Sequence, residues 1–376
     1  MSTTSSRLRS PLALLVLMAA LALVATSPGG TAVTFAQQQQ PSIFGPGGTL
    51  TALDAYLEAL RQQAGIPGMS ATIISDGEVV FERGYGFQNL ATRERATPDT
   101  PYLVGDMSQT LAAVLLLQCV EIRRVALDDP ISRYGLSSPE PDATLRGLLS
   151  HATPASSKEP FLYNPDRYAQ LTALMEWCAP QPYRKSVSHR LLERLSMLDS
   201  VPGTDLADPA LALPEGLYED EELDAYRAVL RRMAVPYKTT GRNRADRTEL
   251  SPVAMTAANG LVTTVRDLVR LNRAIDDGTL LRPETLAAAW TPAADRNGIA
   301  SPMGLGWFVQ FYRGQRLVWH FGSVPNGYSS LILKLPQRNI TFILLANSDG
   351  LSAPFQLSAG DVTRSLFATL FLRLIT

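Results

Sequence analysis

The spacing of apolar residues along the chain predicts a mixed α/β fold. Leucines at helical spacing mark one face of a first amphipathic helix, namely Leu50, Leu53, Leu57 and Leu60. Residues 69–74 and 79–84 then alternate as strands do, and the Asp76-Gly77 dipeptide between them is typical of a two-residue hairpin turn. Further strand-like segments precede a last amphipathic helix over residues 362–374; they are residues 306–312, 316–321, 328–333 and 340–345.

The most apolar helix of the chain follows Tyr102 and starts near Thr110. Apolar residues leave it almost no polar face, namely Leu111, Val114, Leu115, Leu117 and Cys119. The sequence therefore predicts a helix that is buried on most sides. Asp106 and Ser108 both fit the N-cap of this helix, because their side-chain oxygens can accept hydrogen bonds from its free N–H groups.

Between the two groups of strands, most of the chain has helical character. Residues 171–177, 187–195 and 257–281 place apolar residues at helical spacing. Residues 199–250 are instead rich in Pro, Asp, Glu and Arg, which indicates a long surface excursion with short helices.

The N-terminal residues differ from the rest in character. Arg7 and Arg9 precede an apolar run over residues 12–25, which is short for a membrane span and typical of a signal peptide. We expect residues 1–36 to be a signal peptide, with 34–36 as the cleavage site, residues 37–48 a Gln-, Pro- and Gly-rich linker, and residues 49–376 the folded domain. The protein is then exported to the periplasm or the extracellular space, with an uncleaved membrane anchor as the alternative.

Composition narrows the function classes. A chain of 376 residues, 45% of them hydrophobic, can bury a large core, and its net charge of -1 gives no electrostatic reason to expect nucleic acid as a partner. The three histidines and two cysteines have no metal-ligand spacing, so we expect no metal and no cofactor. Cys119 and Cys178 either pair in an oxidising compartment or remain two buried thiols.

Several phrases along the chain together resemble one protein family. Residues 102–134, YLVGDMSQTLAAVLLLQCVEIRRVALDDPISRY, are similar to the segment that carries Ser-x-x-Lys in the serine β-lactamase and penicillin-binding-protein superfamily, especially its class C and esterase-like branch. Four later phrases also resemble that family in order: TLRGLLSHAT, PFLYNPDRY, AANGLVTTVRDL and HFG. The resemblance spans about residues 50–375.

The resemblance implies both a fold and its two parts. It implies a β-lactamase/transpeptidase-like α/β fold, in which both chain ends build an antiparallel sheet that is flanked by helices. The α/β part is expected at about residues 49–105 and 290–376, and a mostly helical part at about residues 106–289.

The resemblance also implies which residues occupy the site. Asp106 takes the position of the nucleophilic serine and Gln109 that of the basic lysine. Tyr163 fits the catalytic tyrosine, whereas Asn164 stands one residue before the expected Asn position, which a proline fills. His320 and Gly322 keep the third motif, His-x-Gly, on an edge strand. For another histidine, His151, we expect a structural role at a helix end, where it bonds backbone carbonyls.

Without the serine and the lysine, the resemblance implies loss of serine-hydrolase chemistry. A carboxylate at position 106 repels a developing oxyanion, and Gln109 has no titratable group. We expect an inactive relative with a vestigial pocket that binds a small-molecule or peptidoglycan-like ligand or is a relic; its residues are Asp106, Gln109, Tyr163, Asn164, His320 and Gly322. No sequence feature indicates an oligomeric state.

Three alternatives stay open. The protein could hydrolyse esters, amides or lactams with Asp106 and either His320 or Tyr163 as acid/base partners. It could be a structural envelope protein whose pocket does not matter. Ser108 could be a displaced nucleophile, although that register puts Leu111 where the lysine belongs.

Overall fold

A seven-stranded antiparallel sheet forms the centre of the computed structural model, which describes residues 48–153, 157–241, 244–294 and 298–376. The predicted signal peptide and almost all of the predicted linker lie outside these residues. Numbered along the chain, the strands are β1 (Gly68–Ser75), β2 (Glu78–Asn89), β3 (Glu94–Arg95), β4 (Tyr102–Leu103), β5 (Val201–Pro202), β6 (Tyr237–Gly241), β7 (Arg244–Arg247), β8 (Leu261–Thr263), β9 (Phe308–Tyr312), β10 (Gln315–Val324), β11 (Tyr328–Leu335) and β12 (Ile340–Ala346).

The two ends of the chain meet in this sheet. Its strand order is β3-β2-β1-β12-β11-β10-β9, and β1 pairs with β12 from Met69 opposite Ala346 to Ser75 opposite Ile340. The hairpin between β1 and β2 turns at Asp76 and Gly77, both with positive φ (51° and 80°), as the dipeptide predicted. The expected α/β class, with an antiparallel sheet flanked by helices, is therefore confirmed.

Helices cover both faces of the sheet and fill the middle of the chain. They are α1 (Thr49–Gln63), α2 (Ser108–Glu121), α3 (Leu145–Leu149), α4 (Pro165–Ala169), α5 (Leu171–Cys178), α6 (Tyr183–Val187), α7 (Asp220–Arg231), α8 (Val265–Asp276), α9 (Pro283–Ala289) and α10 (Leu366–Ile375). Helices α1 and α10 pack in one hydrophobic cluster with one face of the sheet, and α2 and α8 in the other. Strands β11 and β12 are buried along their whole length, because apolar side chains on both faces meet helices.

Helix α2 is buried on almost every side, as its sequence predicted. Its Cys119 forms a disulfide bond with Cys178 at the end of α5, which decides between the two alternatives that the sequence left open. Among the described residues, no helix is long and apolar enough to cross a membrane.

Two predicted features are wrong in detail. The helix expected over residues 257–281 begins only at Val265, where the Thr264 side chain caps it, and Leu261–Thr263 instead form β8 between β4 and β5. Asp106 and Ser108 make no N-cap hydrogen bond to α2, because a turn of 3-10 helix over Gly105–Met107 leads directly into it.

Candidate functional site

The 3-10 turn before α2 presents Asp106 beside the sheet, and hydrogen bonds of the neighbouring residues fix the position of the turn. Val104 donates its N–H to the carbonyl of Leu261, and the Ser108 hydroxyl donates to the carbonyl of Gly105 at 2.8 Å. The same hydroxyl accepts the N–H of Leu261 at 3.2 Å and is fully buried. Ser108 therefore holds the helix start together and does not face solvent.

Strand β10 runs beside this turn and carries the third motif. Strand β9 pairs with the first half of β10, up to Trp319, so this half lies between two strands. The second half, His320–Val324, pairs only with β11. The predicted edge strand is thus correct only for the motif itself. A Cβ at Gly322 would overlap the carbonyl oxygen of Val104, so the close approach of β10 to the turn requires glycine.

A chain of hydrogen bonds links Asp106 to residues on three other segments. The backbone N–H of Asn164 donates to Nδ1 of His151 at 3.0 Å, which leaves the imidazole proton on Nε2. That Nε2 lies 3.0 Å from Oε1 of Gln109, and Nε2 of Gln109 donates to Oη of Tyr163 at 3.2 Å. The hydroxyl of Tyr163 in turn lowers the pKa of Asp106, so the relay runs toward the carboxylate.

Aromatic rings surround Tyr163 and fix its orientation. Its ring stacks on His151 at 4.6 Å between centroids and lies 5.2 Å from Phe321 and 5.6 Å from Phe308. The His320 ring is 6.3 Å away. Gln109, His151 and His320 are buried, whereas Asp106 and Tyr163 keep partial exposure and form the accessible part of the site.

Burial dominates the electrostatics of these groups. It raises the pKa of Asp106 to about 7, with the hydrogen bond from Tyr163 opposing the shift and the negative charge of Asp166 adding to it. Burial, followed by the charge of Asp106, raises the pKa of Tyr163 well above its usual range. Burial also lowers the pKa of His151 to about 3 and of His320 to about 4, so both imidazoles are neutral near pH 7.

His320 has an unusual hydrogen-bond state. Its Nδ1 lies 2.7 Å from the carbonyl oxygen of Phe321, which can only accept, so Nδ1 carries the proton and Nε2 is an acceptor. This buried Nε2 has no hydrogen-bond partner within the described part of the chain.

The structure brings together most of the residues that the sequence predicted for the site. Asp106, Gln109 and Tyr163 are hydrogen-bonded in one relay, and His320 and Gly322 lie on the neighbouring strand. The side chain of Asn164 is elsewhere, because its Oδ1 caps α4 by accepting the N–H of Arg167 at 3.1 Å. Only the backbone of Asn164 contributes to the relay.

His151 belongs to the site, which the sequence analysis missed. It does follow a helix, α3, but it bonds the Gln109 side chain and an amide N–H, so the expected bonds to backbone carbonyls are wrong. The signal was indirect: a buried glutamine on an apolar helix needs a partner for both ends of its amide.

No lysine is present on α2, and the chain has only four lysines in total. Lys185 bonds the carbonyl of Leu217, and Lys334 bonds Asn272 and Asp276. Lys238 is exposed on β6, and Lys158 is exposed on the segment before Tyr163. The amine of a Ser-x-x-Lys dyad is therefore missing from its expected place.

One group of side chains among the described residues could hold a metal ion, and it shares no member with the relay. His189 and Glu193 lie on a π-helical turn (Ser188–Glu193), and Glu222 lies on α7. The Nε2 atom of His189 is 3.3 Å from Glu193 and 3.8 Å from Glu222, and polar contacts among these solvent-accessible side chains explain the arrangement without a metal ion.

Solved structures with this fold support the architecture. A penicillin-binding protein homologue from Pyrococcus abyssi, described as octameric, aligns with a TM-score of 0.69 and 21% identity over 86% of this chain and 77% of that chain. A class C β-lactamase aligns with a TM-score of 0.64 and 18% identity over 85% of this chain and 96% of that one. The D-amino acid amidase from Ochrobactrum anthropi SV3, complexed with L-phenylalanine amide, aligns with a TM-score of 0.61 and 20% identity over 86% and 98%.

Sequence comparison identifies the family. The Bacillus subtilis protein PbpX, which is named as a penicillin-binding protein, is 21% identical over 266 residues, and the match covers 64% of this chain and 61% of PbpX. The chain thus spans less than two thirds of that relative. The sequence model of the Beta-lactamase family matches residues 53–361, and the chain therefore belongs to the β-lactamase family.

Proposed function

We propose that this member of the β-lactamase family is exported and does not act as a serine hydrolase. We further propose that a cleft bounded by Asp106, Tyr163 and His320 binds a small-molecule or peptidoglycan-like ligand. The proposal places the protein among the noncatalytic relatives of the family. Export is supported by the basic residues and apolar run of the first 36 residues, the pattern of a signal peptide.

The relay at Asp106 carries this proposal. Acyl transfer requires a nucleophile with a base beside it and donors aimed at the oxyanion. Here an acid and an amide occupy the two positions, and Gln109 is committed to His151 and Tyr163. A carboxylate at position 106 is a weak acyl nucleophile, and its charge opposes the charge that develops on the substrate.

Covalent labelling tests the loss of activity. We expect no adduct when the purified protein is incubated with a fluorescent penicillin or a fluorophosphonate, because both reagents need an activated serine. An active class C β-lactamase serves as the positive control. A covalent adduct on any serine of the folded protein, located by peptide mass spectrometry, contradicts the proposal.

Binding is tested separately with soluble cell-wall fragments. We expect muropeptides to raise the melting temperature of the wild-type protein and to lose this effect in His320→Ala, whose imidazole is part of the cleft. Equal effects on both proteins, or none on the wild type, contradict binding in the cleft.

One observation favours a second candidate, hydrolysis by nonstandard residues. Burial gives Asp106 a pKa of about 7, which suits a general acid or base at neutral pH, and His320 offers an unpartnered Nε2 nearby. A screen of esters, amides and lactams with wild type, Asp106→Ala and His320→Ala tests it. Turnover that disappears in both variants supports hydrolysis, and the absence of turnover by the wild type refutes it.

A further inference from the structure

The side-chain hydrogen bonds of the relay join its members to one another. His151 donates to Gln109 and Gln109 donates to Tyr163, whose hydroxyl lowers the pKa of Asp106. The Asp106 carboxylate has about four lone-pair positions and therefore offers acceptor capacity to a ligand.

A second, independent acceptor lies beside Tyr163. The imidazole of His320 is fully buried, and its Nδ1 is committed to the Phe321 carbonyl. Its Nε2 therefore presents a lone pair without a partner among the described residues. A buried acceptor of this kind costs free energy until a donor reaches it.

The charges at the site also favour a ligand that donates hydrogen bonds and carries positive charge. Within the described part of the chain, Asp106 forms no salt bridge, and the charged residue that acts on it is another acid, Asp166. The remaining walls are the rings of Tyr163 and Phe321, whose centroids are 5.2 Å apart. Aromatic faces attract cations, whereas an anionic group would be repelled by the carboxylate.

Resting on the proposed binding function, we propose that the ligand of this cleft carries a cationic group with N–H donors, an ammonium or a guanidinium, which pairs with Asp106. The carboxylate is the charged contact, the rings of Tyr163 and Phe321 are the wall, and the unpartnered Nε2 of His320 can accept a further donor. Position 106 thus selects for positive charge.

Three probes of matched shape test this inference by isothermal titration calorimetry at pH 8. They are benzylammonium, neutral benzyl alcohol and anionic benzoate. We expect saturable binding of benzylammonium, an affinity for benzyl alcohol at least about tenfold lower, and no binding of benzoate, since loss of a partly buried charge pair costs at least about 1.4 kcal/mol. Equal binding of benzylammonium and benzyl alcohol, or no binding of benzylammonium, overturns the inference.

Two variants locate the site. Asp106→Asn keeps an oxygen for Tyr163 and removes the charge, and should reduce benzylammonium affinity at least about tenfold. Asp142→Asn removes an exposed carboxylate elsewhere and should leave the affinity unchanged. Retained affinity in Asp106→Asn overturns the inference. If that variant does not fold, the shift in melting temperature of the wild type with benzylammonium and with benzyl alcohol decides the question by itself.

This experiment is separable from the test of inactivity. A penicillin adduct on a serine would refute the proposed loss of catalysis and leave the amine preference intact. Failure of benzylammonium to bind would refute the ligand class while the protein still resisted labelling.

Discussion

Burial of Asp106 disfavours its charged form and therefore lowers the stability of the folded protein when the carboxyl is ionised. Burial raises the pKa of this carboxyl to about 7 from an ordinary value of 3.8, so the folded state binds its proton more tightly than the unfolded state. The resulting cost is fully present above pH 7 and disappears as the pH falls toward the ordinary value. Because Asp106 makes no N-cap bond, no compensating helix stabilisation is lost on its removal.

We therefore expect Asp106→Asn to stabilise the protein. At pH 8 the free energy of unfolding should rise by about 1–3 kcal/mol, with the gain shrinking steadily as the pH is lowered to 4. Urea unfolding of both proteins at several pH values measures it.

Other groups around Asp106 are common to both proteins and cancel in the comparison. Tyr163 stays neutral over this range, and Asp166 is unchanged. The lowered pKa values of His151 and His320 destabilise the fold below about pH 6.5, but equally in each protein. A variant that is less stable than wild type at pH 8 would contradict the prediction.

Gln109 joins His151 and Tyr163 through its side-chain amide, and its removal should lower the stability of the fold. Gln109→Met keeps a similar volume but leaves the Nε2–H of His151 buried without its acceptor and removes the donor to Tyr163. We expect the free energy of unfolding to fall by about 2 kcal/mol, measured by urea unfolding at pH 7.

A double-mutant cycle with Tyr163→Phe distinguishes this network from simple loss of packing. If the two side chains act through their shared hydrogen bond, the double variant should be more stable than the sum of the single losses predicts, by about 0.5–2 kcal/mol. Additive losses would show that the bond contributes nothing.

The elements show where sequence reasoning succeeds. Helix α2 was predictable because almost every position in it is apolar, and the β1–β2 hairpin because Asp76-Gly77 suits positive φ at both positions. β8 was mistaken for helix because Leu261 and Val265 are helix-spaced. Pairing with β4 and β5 decides that segment, and its partners are distant in sequence.

Residues whose partners are distant account for the errors in the site. His151 lies 42 residues from Gln109, so nothing local in the sequence revealed their bond. Cys119 and Cys178 would be equally apolar as thiols or as a disulfide, and only their juxtaposition on α2 and α5 decides. By contrast, Asp106, Gln109 and Tyr163 were found because the order of motifs along the chain fixed their positions.

The disulfide between α2 and α5 should contribute substantially to stability. It joins residues that are 59 positions apart. A crosslink over a loop of this length lowers the entropy of the unfolded chain and so raises its free energy by about 4 kcal/mol. We expect Cys119→Ala/Cys178→Ala to lose about that amount in urea unfolding.

The response to reductant provides the control. Dithiothreitol should lower the unfolding midpoint of the wild type to that of the double variant, and should leave the variant unchanged. Two thiols titrated in the denatured wild type without any reductant would contradict the disulfide.

At the scale of the whole molecule, the fold brings an acid and an amide together at the start of α2. The approach of β10 to the turn before α2 and the hydrogen bond from Gln109 to Tyr163 hold this arrangement in place. Positions 106 and 109 are three residues apart at the start of a helix, so side chains there face the same way. The proposed inactivity can therefore be tested by placing a serine and a lysine at these two positions.

We expect Asp106→Ser/Gln109→Lys to be labelled by a fluorescent penicillin at least about a hundredfold faster than the wild type or either single variant, although still slowly. The two changes are needed together because nucleophile and base act as one unit. The Nε2–H of His151, which now meets Gln109, can donate to the introduced amine and so favours its neutral, proton-accepting form. In-gel fluorescence over time measures the reaction, with thermal melts to confirm folding. A folded double variant that stays unlabelled would mean that the enclosed ring cluster around Tyr163 excludes the substrate, and that restoring two side chains cannot reopen the cleft.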